Sequence, residues 1–101
     1  MSDSGRNYRK SDHAEQRKNE GRPISTAFSD VQRSIQSDIF LQYDGRYIVR
    51  GLKGREHVYE ANGALVTSYH RSHQVHLSKV RNGERQPVTV EQYLIFKEMF
   101  P

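Results

Sequence analysis

A chain of 101 residues with a formal charge of +4 and no cysteine is at most one domain with a thin core, because a chain this short buries only about two thirds of its unfolded surface. The composition excludes disulfides and thiolate metal sites. No apolar run approaches the length of a signal-peptide core or a membrane span, so a cytoplasmic protein without a membrane partner is the default expectation.

The hydropathy is unevenly spread. Mean hydropathy is −0.93, yet residues 1–23 hold only Met1, Tyr8 and Ala14 from the hydrophobic class. Residues 1–24 are therefore expected to form a disordered basic tail, unable to bury enough apolar surface to offset the entropy of ordering. Residues 25–101 are expected to form a small domain of α+β class: a four-stranded antiparallel meander with one short helix before it and one or two after.

The first predicted element is a helix over about 27–37, where Phe28, Val31, Ile35 and Ile39 recur at near-helical spacing and Ser29 with Gln32 matches a capping box. Two β-prone runs follow, at 39–43 and 46–50, joined by Asp44-Gly45, a strong hairpin signal. Gly51-Leu52-Lys53-Gly54 leads to a third strand from Arg55 to Glu60, and Asn62-Gly63 closes a second hairpin onto Ala64–His70. Ser72–Arg81 reads as a helix with His73, Leu77 and Val80 on one side, ended by Asn82-Gly83. In the last helix, about 90–100, Thr89 and Gln92 make a capping box and Val88 with Tyr93 a hydrophobic staple. Leu94, Phe96 and Phe100 cannot all face inward on it, which raises the expectation of a homodimer.

Charge follows the same segmentation. Residues 46–85 carry eight Lys or Arg against Glu56, Glu60 and Glu84, whereas the flanking segments carry more acid than base. A field of this kind suits a polyanion or an acidic protein surface, and equally serves as a solvated face that keeps the protein soluble.

Turn geometry predicts which side chains meet. With Asn62-Gly63 as a two-residue loop, Arg55 faces His70, His57 faces Ser68, Val58 faces Thr67 and Tyr59 faces Val66. If Leu52-Lys53 is also a two-residue loop, Arg50 faces Arg55 and Ile48 faces His57. One face then carries Phe40, Tyr47, Val49, Val58, Leu65, Thr67 and Tyr69 as core. The other carries Arg46, Ile48, Arg50, Arg55, His57, Tyr59, Val66, Ser68 and His70. Directly opposed Arg50 and Arg55 would repel, so either the Gly51–Gly54 loop has another geometry or the pair awaits an anion.

The basic face has the residue types of a metal-independent ribonuclease. Imidazoles titrate near neutrality and transfer protons, and guanidinium groups grip phosphate through paired donors. The candidate catalytic set is Arg55, His57, Ser68 and His70; Arg46, Arg50, Lys53, Tyr59 and Arg71 are candidate nucleic-acid contacts. Catalysis by this set requires the four to line one exposed pocket. Solvated strand positions and pairs with Glu56 and Glu60 are the plain alternative. His70, His73 and His76 stand at steps of three, but the junction near 70–72 breaks a common geometry and no carboxylate or thiolate completes a metal site. No cofactor is expected. Gly51-Leu52-Lys53-Gly54 has the GxxG form that clamps nucleic-acid backbone in KH domains, though here between strands, where a lysine at its tip can approach phosphate. Tyr47 and Tyr69 point to the predicted core, which leaves Tyr59 alone to stack on a base.

The run from Tyr47-Ile-Val-Arg-Gly, through Gly54-Arg-Glu-His-Val-Tyr-Glu-Ala-Asn-Gly-Ala-Leu-Val-Thr-Ser-Tyr, to His70-Arg71 resembles the C-terminal meander of RelE/ParE-type toxins, and more loosely that of barnase-like ribonucleases. The resemblance covers residues 47–71 and implies phosphate and proton-transfer roles for Arg55, His70 and Arg71, with an antitoxin as partner. The chain departs from that family in having one short helix before the meander and about thirty residues after it. The resulting expectation is a small basic nucleic-acid-directed protein, RNA-binding or an endoribonuclease of toxin type, with RNA favoured over DNA. The competing expectation is a non-enzymatic interaction module, an adaptor or inhibitor of the kind phages and plasmids encode, on an acidic partner.

Overall fold

The computed structural model describes residues 23–100, so residues 1–22 of the expected 1–24 tail lie outside the described residues. A 3-10 turn, Pro23–Thr26, runs straight into helix α1, Ala27–Arg33. A second 3-10 turn, Gln36–Asp38, leads to strands β1 (Ile39–Gln42) and β2 (Tyr47–Arg50). The short turn Leu52–Gly54 precedes β3 (Arg55–Tyr59) and β4 (Leu65–His70). Helix α2 (His73–Arg81), strand β5 (Arg85–Pro87) and helix α3 (Val90–Glu98) complete the order. The α+β class is as expected, but the sheet has five antiparallel strands in the order β4-β3-β2-β1-β5. The added strand β5 reaches back to β1, with Phe40 opposite Pro87 and Gln42 opposite Arg85.

The first helix departs from its expected span at both ends. It starts before the predicted capping box, so Ser29 lies inside it and its hydroxyl donates to the carbonyl of Thr26 (3.1 Å). It stops at Arg33 because the chain turns extended at Ser34. The last carbonyls are capped from a distance: Lys97 Nζ donates to the oxygens of Val31 (2.8 Å) and Ser34 (2.7 Å). A lysine held on a helix C-terminus satisfies acceptors that the helix itself cannot. Helix α3 begins as its sequence dictates, with Thr89 and Gln92 exchanging side-chain and backbone bonds at 2.9 and 3.1 Å. Its buried side chain is Phe96, joined by Phe100 just beyond its end, while Leu94 is exposed.

Both hairpin registers hinge on loop length. Between β2 and β3 the loop is one residue longer than predicted: Arg50 pairs with Glu56, Val49 with His57 and Ile48 with Val58. The predicted pairs Arg50–Arg55 and Ile48–His57 do not form. The extra residue is Gly54, at φ 78 after Lys53 at φ 59. A side chain there would be strained, and a Cβ would also lie 2.8 Å from the carbonyl oxygen of Arg71. The slip removes the repulsion between opposed guanidinium groups and sets a carboxylate against Arg50 instead. Between β3 and β4, Arg55 opposes His70, His57 opposes Ser68 and Val58 opposes Thr67, as predicted, but Tyr59 opposes Leu65 rather than Val66. The turn itself is one residue longer than assumed, with the backbone N–H of Glu60 donating to the Ala64 carbonyl. A bulge between Val58 and Tyr59 then restores the register.

A one-residue slip moves a whole strand's side chains to the other face, so the single predicted core face splits in two. On one side Ile39, Tyr47, Val49, Tyr59 and Leu65 pack with Ile24, Ala27 and Val31 and with Phe96 and Phe100. Ile24, placed in the tail by the sequence, is fully buried here. On the other side Phe40, Ile48 and Val58 pack with Val66, Tyr69 and Val80. The molecule has three layers, with α1 and α3 on one face of the sheet and α2 on the other, and each fully buried aliphatic or aromatic side chain stabilises it by about 1.5–3 kcal/mol.

Candidate functional site

Each sheet face also buries a polar network, and both networks meet near the C-terminal end of β2. The first is centred on Asp30. In α1, Ala27, Asp30 and Val31 share the inward face at helical spacing and all three are buried. Asp30 accepts from Arg55 at Oδ2 (2.8 Å) and Oδ1 (2.9 Å), a bidentate pair. His57 Nε2 donates to Asp30 Oδ2 at 2.6 Å, and His57 Nδ1 lies 2.7 Å from Ser68 Oγ. Burial raises the Asp30 pKa, but the hydrogen bonds from Arg55 and His57 outweigh it and hold the carboxyl well below the usual carboxylate range. Gly51 allows this packing, since a Cβ there would sit 2.4 Å from Asp30 Oδ2.

The aspartate–histidine–serine line has the composition of a nucleophilic triad without its access. His57 and Ser68 are 0% exposed, so no scissile phosphate reaches them. The four side chains expected to line one exposed pocket therefore divide. Arg55, His57 and Ser68 are gathered into a closed network that ties α1 to the sheet, and His70 alone stays exposed at the end of β4.

The second network is centred on Glu56, 0% exposed on the α2 side of the sheet. Its carboxylate accepts from Arg50, from Arg71 Nε (3.2 Å) and from Arg85 Nη1 (2.7 Å). Burial raises the Glu56 pKa, but Arg85 and Arg50 outweigh it and keep the group ionised below its ordinary range. Arg85 Nη1 also donates to His76 Nδ1 at 3.1 Å. His76 packs edge-on against the Phe40 ring, 4.4 Å between centroids. Burial, with Arg50 and Arg85 close by, pushes His76 down to about 4, so its imidazole is neutral at pH 7. The Arg71 guanidinium lies over the Tyr69 ring, 4.8 Å from its centroid. The Tyr69 hydroxyl is raised by burial and by the charge of Glu56.

One carboxylate thus faces three guanidinium groups, and the surplus of positive charge borders open space. Two adjoining lobes of one cleft lie here. The first, about 420 Å³, opens between the C-terminus of α1, the Gln36–Asp38 turn and the start of α2; Arg33, Ser37, Asp38, Phe40, Leu52 and His76 are among its walls. The second, about 390 Å³, is lined by Arg50, Lys53, Gly54, His70, Arg71, Ser72 and His73, without an acidic side chain. Arg50 and His73 belong to both. The Gly51–Gly54 loop is pinned beside Arg71, whose backbone N–H donates to the Gly54 carbonyl (2.8 Å), and this sets Lys53 among the other cations.

Of the predicted nucleic-acid contacts, Arg50, Lys53 and Arg71 meet in the second lobe. Arg46 sits at the opposite end of β2, paired with Glu60 (3.3 Å) and Asp44 (3.8 Å). Tyr59 is fully buried between Phe96 and Phe100, with ring centroids at 5.6 and 5.1 Å, so it offers no stacking surface. His73 and His76 lie with ring centroids 5.9 Å apart, but no cluster of three or more His, Asp or Glu able to hold a metal ion occurs among the described residues. No helix among the described residues is long and apolar enough to cross a membrane. Asp30, His76 and Arg85 were not singled out by the sequence reading as partners of these networks. Helical spacing with Ala27 and Val31 was the available signal for Asp30. Arg85 had none, because its place depends on β5 pairing across the sheet. No family model, curated protein or solved structure matches the chain.

Proposed function

We propose that this protein binds the phosphate backbone of nucleic acid, RNA in preference to DNA, through the second lobe of the cleft. The observation that carries the reading is the lobe's charge: Arg50, Lys53 and Arg71 line it with no acidic side chain, and the carboxylate behind it is shared among three guanidinium groups. An arginine has five donors and a carboxylate about four acceptor sites, so donors remain for phosphate oxygens. The preference for RNA rests on the resemblance of residues 47–71 to the toxin meander. Catalysis through Arg55, His57 and Ser68 forms no part of the proposal, because that network is closed.

Fluorescence anisotropy of a labelled single-stranded 12-mer tests it. Affinity should fall linearly on a log–log plot between 50 and 200 mM salt, with a slope of roughly −0.7 per phosphate contact. The double variant Lys53→Ala, Arg71→Ala should reduce the slope by about one to two contacts and weaken binding at least tenfold. Binding that is absent or insensitive to salt removes the proposal, and a stoichiometric complex with an acidic protein in its place would support the interaction-module reading.

A further inference from the structure

The two lobes differ in charge as well as shape. The second has cations and no acid. In the first, Asp30 and Asp38 stand against Arg33 and Arg50, so it is close to balanced. Its volume of about 420 Å³ falls within the range of small-ligand sites. Its walls combine apolar surface from Phe40 and Leu52 with donors and acceptors from Arg33, Ser37 and Asp38. Phosphate is disfavoured there by the carboxylates. A neutral, flat group carrying both donors and acceptors is favoured.

Asp30 is committed to Arg55 and His57 and serves as a fixed wall. Asp38 is different: one oxygen, Oδ2, accepts from the backbone N–H of Ile35 (3.0 Å). A carboxylate has about four acceptor sites, so Asp38 keeps capacity toward the lobe. Arg33 and Ser37 are exposed and stand at the same opening.

From this juxtaposition we infer that the first lobe is a nucleobase site for an unpaired base bearing an exocyclic amino group, continuous with the phosphate lobe through Arg50 and His73. The inference rests on the phosphate-binding reading above. A base in a duplex is stacked and paired, and reaches such a lobe only from a single strand. Asp38 accepts from the amino group of cytosine, as acidic side chains do when they read that base. Arg33 or Ser37 donates to the ring carbonyl. Uracil has a carbonyl where cytosine has the amino group, and would set an acceptor against Asp38.

The experiment compares labelled 12-mers of equal charge: oligocytidine, oligouridine and an abasic strand. Wild-type protein, Asp38→Asn and Ser37→Trp are titrated at one salt concentration, with thermal melts to verify folding. An asparagine at 38 still accepts from Ile35, and Ser37 is exposed, so both variants should fold. The inference requires oligocytidine to bind about tenfold or more tightly than the other two strands. It also requires that preference to shrink to within about twofold in both variants while abasic binding is unchanged. Equal binding of all three strands by the wild type overturns the base site and leaves the phosphate lobe standing. A preference that survives in Asp38→Asn also overturns it. Failure of every strand to bind removes both readings.

Discussion

The two buried networks use the same residue types to opposite ends. On the α1 side one carboxylate, Asp30, meets one guanidinium and one imidazole, and Ser68 closes the line; Asp30, His57 and Ser68 are buried and Arg55 is partly so. On the α2 side one carboxylate, Glu56, meets three guanidinium groups, one of them, Arg71, with 29% of its side chain exposed. The first network is balanced and closed, and acts as a clasp between helix and sheet. The second carries surplus charge at an open cleft. Histidine, arginine and an acid in contact therefore do not by themselves mark a binding site. The ratio of charges and the access of solvent are what separate the two networks.

The contrast can be broken at several points. The largest effect is expected from Glu56→Gln, which leaves three clustered guanidinium groups without their shared anion. Removing one partner of a buried ionic group destabilises by about 3–5 kcal/mol, and with three cations involved the upper end is expected, read as a lost or strongly lowered melting transition. Asp30→Asn should follow at about 3 kcal/mol, since Arg55 and His57 lose their acceptor. Its decisive feature is the second readout: in whatever fraction folds, oligonucleotide affinity should stay within about twofold of wild type. A loss of affinity matching that of an Arg71 variant would abolish the distinction between clasp and cleft.

Arg71→Ala is expected to invert that pattern. Affinity falls about tenfold, equivalent to roughly 1.4 kcal/mol, while stability changes by less than about 1 kcal/mol, as for other partly exposed ion pairs. Ser68→Ala should be the mildest of the substitutions, about 1 kcal/mol for one buried hydrogen bond, with no change in binding.

Acid sharpens the same comparison without a mutation. His76 is held near 4 in the folded protein against 6.5 for an ordinary imidazole. Above pH 6.5 it is neutral in both states and its contribution is complete. As pH falls from 6.5 to about 4 the unfolded chain takes up a proton that the folded one refuses, so stability declines across this window. His76→Gln, which can still accept from Arg85, should flatten that part of a melting-temperature profile. Below the ordinary carboxylate values of 3.8 for Asp30 and 4.5 for Glu56, both lowered in the fold, a further decline is expected as the unfolded carboxylates protonate first. It should remain in the His76 variant.

Local chemistry was legible at several points, though not at the Ser29–Gln32 pair, which lies at α1 without capping it. The Thr89–Gln92 box starts α3 where its side chains dictate. The glycine turns place both hairpins, and the helix expected from Ser72 to Arg81 forms from His73 to Arg81. The pairs Arg55–His70 and His57–Ser68 also follow from the hairpin signal, although a longer turn and a bulge offset each other to produce them. The clustering of Arg50, Lys53 and Arg71 was visible as charge, and its place beside the Gly51–Gly54 loop as a glycine pattern.

What the chain alone left open turns on single-residue geometry and on contacts far apart in sequence. One extra residue at Gly54 decides whether Arg50 opposes Arg55 or Glu56, and alternation then carries the choice through a whole strand. Tyr59 and His57 read as surface residues until α1 and α3 cover their face. Asp30 and Arg85 reach their partners across 27 and 29 residues. By itself the sequence determined a small basic α+β domain, its two hairpin turns and the start of its last helix, because capping, turn and periodicity rules act locally. Only the tertiary structure decided which arginines and histidines are closed off and which border the cleft, because burial and charge balance depend on what the rest of the chain lays over them.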